Sequence, residues 1–204
     1  MVAMPRIARA VAVGYPHHIT QRGNYRQTVF ETKDDYLQYL DWLKLYSKKY
    51  SIKIWAYCLM KNHVHFIAVP MEADSLAKTF NTLHMRYSQY FNMRKKATGH
   101  LWQGRFFSCV LDERHLYASI RYVETNPVRS RMVKRAEDYK WSIAQGHVKR
   151  KTDSVLLKGC YIVEEIKDWV SYLREKEESS LVALTFGRIQ RQVAPAVTMA
   201  LCRE

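Results

Sequence analysis

Two strand-like runs, Ile52–Met60 and His63–Val69, are separated only by Lys61 and Asn62. A two-residue link between such runs is hairpin spacing, so whatever covers this antiparallel pair must come from the segments on either side. Both flanks read as helices. Thr32 with Asp35 three residues on makes a capping-box-like start, with Asp in place of the usual Glu. Tyr36, Leu40, Leu43 and Tyr50 follow at helical spacing, and Lys44, Lys48 and Lys49 load the C-terminal end, where the helix dipole favours cations. Beyond the hairpin, Asp74 or Ser75 can cap a second helix bearing Leu76, Phe80, Leu83, Tyr87 and Tyr90, stopped around Arg94–Gly99. The outer strands are read at Val11–Thr20 and Leu101–Leu111, the latter with a bulge at Gly104. Asp112 then caps a third helix with Leu116, Ile120 and Val123 inward, closed by Pro127. The order is β-α-β-β-α-β plus one helix. That predicts an α+β, ferredoxin-like antiparallel sheet with helices on one face, and the extra helix beside it.

After about residue 140 the pattern weakens, apart from an amphipathic helix predicted over Tyr161–Glu178. The sequence therefore divides into a main domain, 1–145, and a helical C-terminal extension and tail, 146–204. Its 204 residues suffice for a core without staples. The four cysteines, Cys58, Cys109, Cys160 and Cys202, lie 42 to 51 residues apart with no C-x-x-C pair, which predicts reduced thiols and no zinc ribbon. The apolar run Ala10–Val13 is too short for a signal peptide. Ile52–Pro70 carries Lys53, Lys61, Asn62, His63 and His65, so it is no membrane span. A soluble, cytoplasmic, nucleoid-associated protein is expected. The formal charge of +14, from 33 Lys and Arg against 19 Asp and Glu, calls for a polyanionic partner.

Two spacings carry chemistry. Side chains at i and i+2 of a strand share a face, so His63 and His65 project together just after the hairpin turn. On the third helix Tyr122 and Asn126, at i and i+4, are neighbours on one face. Each taken singly is more ordinarily packing, or a helix stop before proline. Together they suggest two imidazoles and an amide oxygen around a divalent cation, Mg²⁺ or Mn²⁺, one turn from a phenol, although two histidines also accept Zn²⁺. That is a phosphoryl-transfer arrangement with the phenol as nucleophile and the cation as Lewis acid.

Four ordered blocks bear a resemblance. Pro16-His17-His18-Ile19-Thr20-Gln21-Arg22-Gly23-Asn24, Trp55 to His65, Trp102-Gln103-Gly104-Arg105-Phe106-Phe107 and Arg121 to Arg129 are collinear over roughly residues 5 to 145. They resemble the REP-associated tyrosine transposases, IS200-like members of the single-tyrosine HUH superfamily. The resemblance implies a catalytic domain over 1–145 that cuts and rejoins hairpin-forming single-stranded DNA through a 5′-phosphotyrosine. In it, Tyr122 matches the nucleophile, and His63, His65 and Asn126 match the metal ligands. This chain departs from the pattern at Lys61, where many relatives have proline, and at Arg129-Ser130-Arg131, where relatives often read Arg-Ala-Gly.

For DNA contact the sequence nominates Arg22, Arg26, Arg105, Arg129, Arg131, Lys134 and Arg135, with Tyr15, Tyr25 and Trp102 as candidate stacking platforms for unpaired bases, core packing being an equal reading for Trp102. Two other functions are compatible with the pattern. One is a non-catalytic module binding DNA or RNA hairpins; the other is a zinc hydrolase, for which Glu124 faces away from Tyr122 and no H-E-x-x-H is present. Homodimer and monomer are both open.

Overall fold

The computed structural model describes residues 10–151 and 160–175. Its sheet is built from β1 (His17–Arg22), β2 (Ile52–Met60), β3 (His63–Pro70) and β4 (Phe107–Val110) in the spatial order β2-β3-β1-β4, with every neighbouring pair antiparallel. This is the strand order of a split β-α-β unit, as expected. The long helices are α1 (Lys33–Lys49), α2 (Ser75–Lys95) and α3 (Glu113–Arg129). Short helices α4 (Ala144–Val148), α5 (Ile162–Glu165) and α6 (Trp169–Arg174) follow. Among the described residues, no helix is long and apolar enough to cross a membrane.

Alternation along the two central strands sorts the layers. Phe66 meets Tyr39 of α1 at 6.4 Å and Phe80 of α2 at 5.1 Å between ring centroids, so α1 and α2 cover that face. His65, its neighbour in sequence, points the opposite way and meets Tyr122 of α3. The first layer is sewn at both ends. Asp35 completes the Thr32 capping box, and its buried carboxylate also accepts from Arg94 near the end of α2 at 3.1 Å. The Tyr39 hydroxyl lies 2.9 Å from His84 Nε2. The buried side of α1 runs through Tyr36, Tyr39, Leu43 and Tyr46, with Leu40 only partly covered.

Four elements differ from the sequence reading. β1 begins at His17, not Val11. Gly14 takes a left-handed turn (φ 82°) and Pro16 has no N–H to give a ladder, so residues 11–16 form a turn that leads into the strand. β4 is only Phe107–Val110. After Thr20 pairs with Phe107 the next bridge is Gly23 with Trp102, so two residues of one chain oppose four of the other, and Gln103–Phe106 loops out around Gly104. α3 does not stop at Pro127 but runs to Arg129, because a proline one turn from the end deprives only one carbonyl of its helical partner. The helix expected over Tyr161–Glu178 is broken in two, because the Asp168 side chain turns back to accept from Ser171 N and caps a new start.

Residues 160–175 pack back on α3 and on α4. Glu124 is fully buried and accepts from His147 Nδ1 (2.6 Å) and from Trp169 Nε1 (2.8 Å). Tyr172 donates to the Tyr117 carbonyl, and Arg121 pairs with Glu175. The last residues of the helix predicted to Glu178, and the tail beyond it, lie outside the described residues.

Candidate active site

The cross-strand register gathers the site. His63 pairs with Arg22 and His65 with Thr20, while His18 pairs with Ile67. Directly opposed residues in a ladder share a face, so His18, Thr20, Arg22, His63 and His65 all point toward α3. The rings of His63 and His65 are 4.9 Å apart and nearly perpendicular. The Tyr122 ring is 5.7 Å from His65 and 6.3 Å from His18, edge-on to both. Asn126 follows one turn later on α3 and is buried. At i+7 the Arg129 guanidinium lies 3.5 Å from the centre of the Tyr122 ring, a close cation–π contact. The run of α3 past Pro127 is what brings Arg129 to this position.

The imidazoles are held neutral. Burial pushes His18 down to about 3. Burial, helped by the Arg22 charge, takes His63 to about 4. His65 lies well below its ordinary value, from burial first and then from His63, His18, Arg129 and Arg22. A neutral imidazole has the lone pair that a metal needs. Among the described residues, no three His, Cys, Asp or Glu side chains gather at metal-binding spacing. Two neutral imidazoles and an amide, the donors nominated from the sequence, would suit a cation that keeps open positions better than a closed structural zinc site.

The DNA-contact candidates fall in distinct places. Arg22 ends β1 opposite His63. Tyr25 is 94% exposed and Arg26 is exposed, on a tight turn where both take left-handed backbone angles (φ 49° and 59°). Such angles cost about 1–2 kcal/mol per residue. Hydrogen bonds to other segments and within itself hold the turn, among them Gly23 N to Asn62 O (2.8 Å), Asn24 N to Leu101 O (2.8 Å) and Gln27 Nε2 to Leu101 O (3.0 Å). At roughly 1 kcal/mol each they outweigh the strain. Gly23 is required there, since a Cβ would come within 2.5 Å of the Gln27 carbonyl. Arg105 is exposed on the 103–106 loop, and Tyr15 is exposed ahead of β1. Arg131 and Lys134 are exposed just beyond α3, whereas Arg135 is tied to Asp138 at 2.8 Å.

Trp102 corrects the sequence reading. It is buried at 8% exposure, packed 4.9 Å from the His84 ring, with its indole N–H on the His84 carbonyl. It is a packing residue of the first layer and offers no face to a base. His18 was not picked out as a site residue. Its signal was the period of two along β1, which sets it on the same face as Thr20 and Arg22. Glu124 does face away from Tyr122, toward His147 and Trp169 rather than solvent.

The structure is similar to that of a REP-associated tyrosine transposase bound to a REP hairpin, with 20% identity, a TM-score of 0.57, and coverage of 76% of this chain and 92% of that one. At that identity the likeness shows the fold. A candidate transposase from Deinococcus radiodurans is 17% identical over 59% of this chain and 97% of its own, at a TM-score of 0.42 that carries no argument. Comparison with curated proteins found no match. The family model "Transposase IS200 like" matches residues 12–126, more than half of the chain and the span that holds His63, His65, Tyr122 and Asn126. This chain belongs to the IS200-like transposase family.

Proposed function

We propose that this transposase is a metal-dependent endonuclease and strand transferase for hairpin-forming single-stranded DNA, acting through a 5′-phosphotyrosine on Tyr122. One observation carries the reading: a partly buried phenol stands 5.7 Å from the ring of a paired histidine, under a guanidinium 3.5 Å from its own ring. A phenol is a poor nucleophile at neutral pH because its proton leaves only near pH 10. It needs a charge-neutralised phosphate held in line, and the face built by β1, β3 and α3 has the groups for that.

His63, His65 and Asn126 would hold Mg²⁺ or Mn²⁺, which supplies Lewis-acid polarisation of the scissile phosphate when bound. Arg129 and Arg22 neutralise the same phosphate. The Tyr122 oxygen forms its bond to phosphorus as the bond to the 3′ oxygen breaks, and the phenolic proton ends on the departing 3′-hydroxyl. Since one phosphodiester replaces another, the reverse attack by a 3′-hydroxyl rejoins the strand without ATP. Tyr25 offers an exposed ring for an unpaired base, and Arg26, Arg105, Arg131 and Lys134 offer charge for the backbone. The hairpin bound by the structurally similar transposase supports this substrate class.

The test uses labelled hairpin DNA from the flank of the source gene, Mg²⁺ or Mn²⁺, and a denaturing protein gel. A metal-dependent adduct on the DNA 5′ side, absent from Tyr122→Phe, is the expected result. Tight binding by both proteins with no cut strand under either metal would replace this reading with a non-catalytic hairpin-binding module.

A further inference from the structure

Amide orientation and imidazole tautomer are usually ambiguous, but one chain of contacts here removes the ambiguity. The Asn62 side chain lies between two groups. Its nitrogen is 3.2 Å from the Arg26 carbonyl, and its oxygen is 2.6 Å from His63 Nδ1. A backbone carbonyl only accepts, so the end of the amide facing Arg26 must be the NH₂. The end facing His63 is then the oxygen, which also only accepts. The proton of neutral His63 therefore sits on Nδ1, and its Nε2 lone pair is free. The turn carbonyl, acting through two hydrogen bonds, sets which nitrogen of His63 can bind a metal.

We propose that Asn62 is a positioning residue: it locks His63 in the Nδ1–H tautomer, with Nε2 available to the cation, and is itself oriented by the strained Tyr25–Arg26 turn. The proposal rests on the metal-site reading above. Metal-binding histidines need this kind of outer partner because the solution preference of imidazole does not fix the correct tautomer or ring angle. The main chain reinforces the link, since Gly23 N donates to the Asn62 carbonyl, and the Lys61 carbonyl accepts from Val29 N and Phe30 N. The turn nominated to meet unpaired bases and the first metal ligand are thus joined by a single side chain. A strand that rearranged residues 24–26 would free Asn62 to rotate. The His65 contact differs, because its partner is another imidazole: His18 Nε2 lies 3.1 Å from His65 Nδ1, and either ring can donate.

Two measurements on the full chain decide this. Two-bond ¹H–¹⁵N correlation spectra of the metal-free protein report the tautomer directly, and Mn²⁺ titration followed by electron paramagnetic resonance reports affinity. The wild type is expected to show His63 protonated on Nδ1. Asn62→Asp still accepts from His63 but cannot donate to the Arg26 carbonyl, so it keeps the tautomer while the amides of residues 24–26 shift. Asn62→Leu is expected to return His63 to the Nε2–H form and weaken Mn²⁺ by about 10–100-fold. Observation of Nε2–H on His63 in the wild type would overturn the proposal, as would Mn²⁺ affinity in Asn62→Leu equal to wild type. The metal reading itself is checked with His63→Ala. If the wild type binds no Mn²⁺, or His63→Ala binds it equally well, that reading and the role of Asn62 in it fall together. If Mn²⁺ binds through His63 and the tautomer is wrong, Asn62 alone is refuted.

Discussion

His17 uses both ring nitrogens in fixed senses. Nδ1 donates to the Tyr15 carbonyl at 2.8 Å, so Nε2 is the acceptor for Ala12 N–H at 3.2 Å. Protonation would put a hydrogen where the Ala12 amide already points. Burial lowers its pKa from 6.5, against a smaller raising effect from the Tyr15 bond. The sign follows. In the window below 6.5 the unfolded chain takes up a proton that the folded one refuses, so the stability His17 gives above that pH is lost as pH falls through the lowered value. Urea midpoints are accordingly expected to drop between pH 7 and pH 5, and to drop less in His17→Gln, which keeps a donor and an acceptor but does not titrate. Equal drops in both proteins would remove His17 from the account. At this scale the sequence was informative where strand and helix periods set the neighbours, as for Tyr122 beside the paired histidines. It was uninformative where role depends on which way a ring turns. Trp102 in an aromatic, glycine-broken segment read equally as platform or core, and only its contact with the His84 carbonyl decides.

Among elements, α3 is the one that sets Tyr122 against the histidines, and the chain clamps it from behind. Glu124 leaves the Tyr122 side of the helix to accept two buried donors, one from α4 and one from α6. Glu124→Ala strands both, at roughly 1–3 kcal/mol each. A chemical-denaturation midpoint should fall accordingly, and hydrogen exchange in residues 160–175 should accelerate before that in β1 or β3. A loss below about 0.5 kcal/mol would place the clamp outside the stabilising set. The sequence announced the elements that close on local signals. The Thr32/Asp35 box, the Lys61-Asn62 hairpin and the Asp112 cap all stand where they were read. It missed those whose ends depend on distant partners. β4 shortens because Trp102 goes to the core while Phe107 stays on the ladder, and Pro127 reads locally as a stop although the helix carries on to Arg129. The burial of Glu124 had no local signal at all, because its partners lie 23 and 45 residues away.

For the whole molecule, the charge of +14 becomes a site property only where cations cluster beside α3 and the 24–26 turn. Arg22, Arg26, Arg105, Arg129, Arg131 and Lys134 are the candidates, with Arg135 discounted for its bond to Asp138. Six neutralised phosphates on a single strand correspond to a slope of about −4 in log affinity against log salt. Fluorescence anisotropy across a salt series measures it. Arg135→Ala should leave that slope nearly unchanged, whereas Arg131→Ala should make it shallower by somewhat less than one. A slope near −1 would mean that the charge is spent on general solubility. The order β2-β3-β1-β4 places the histidine pair and its neighbour His18 on the two inner strands, while the exposed turn and the 103–106 loop hang from the strand ends. Inner strands open only when the whole fold does, and surface turns open by themselves. On the proposed function, bond breaking and target choice would therefore be inherited separately. On that reading a lineage, or an engineer, could rewrite residues 24–26 and 103–106 to follow a changing repeat, while the histidine–tyrosine face stays under the guard of global stability. The one exception is Asn62, where a new recognition turn must still present a carbonyl.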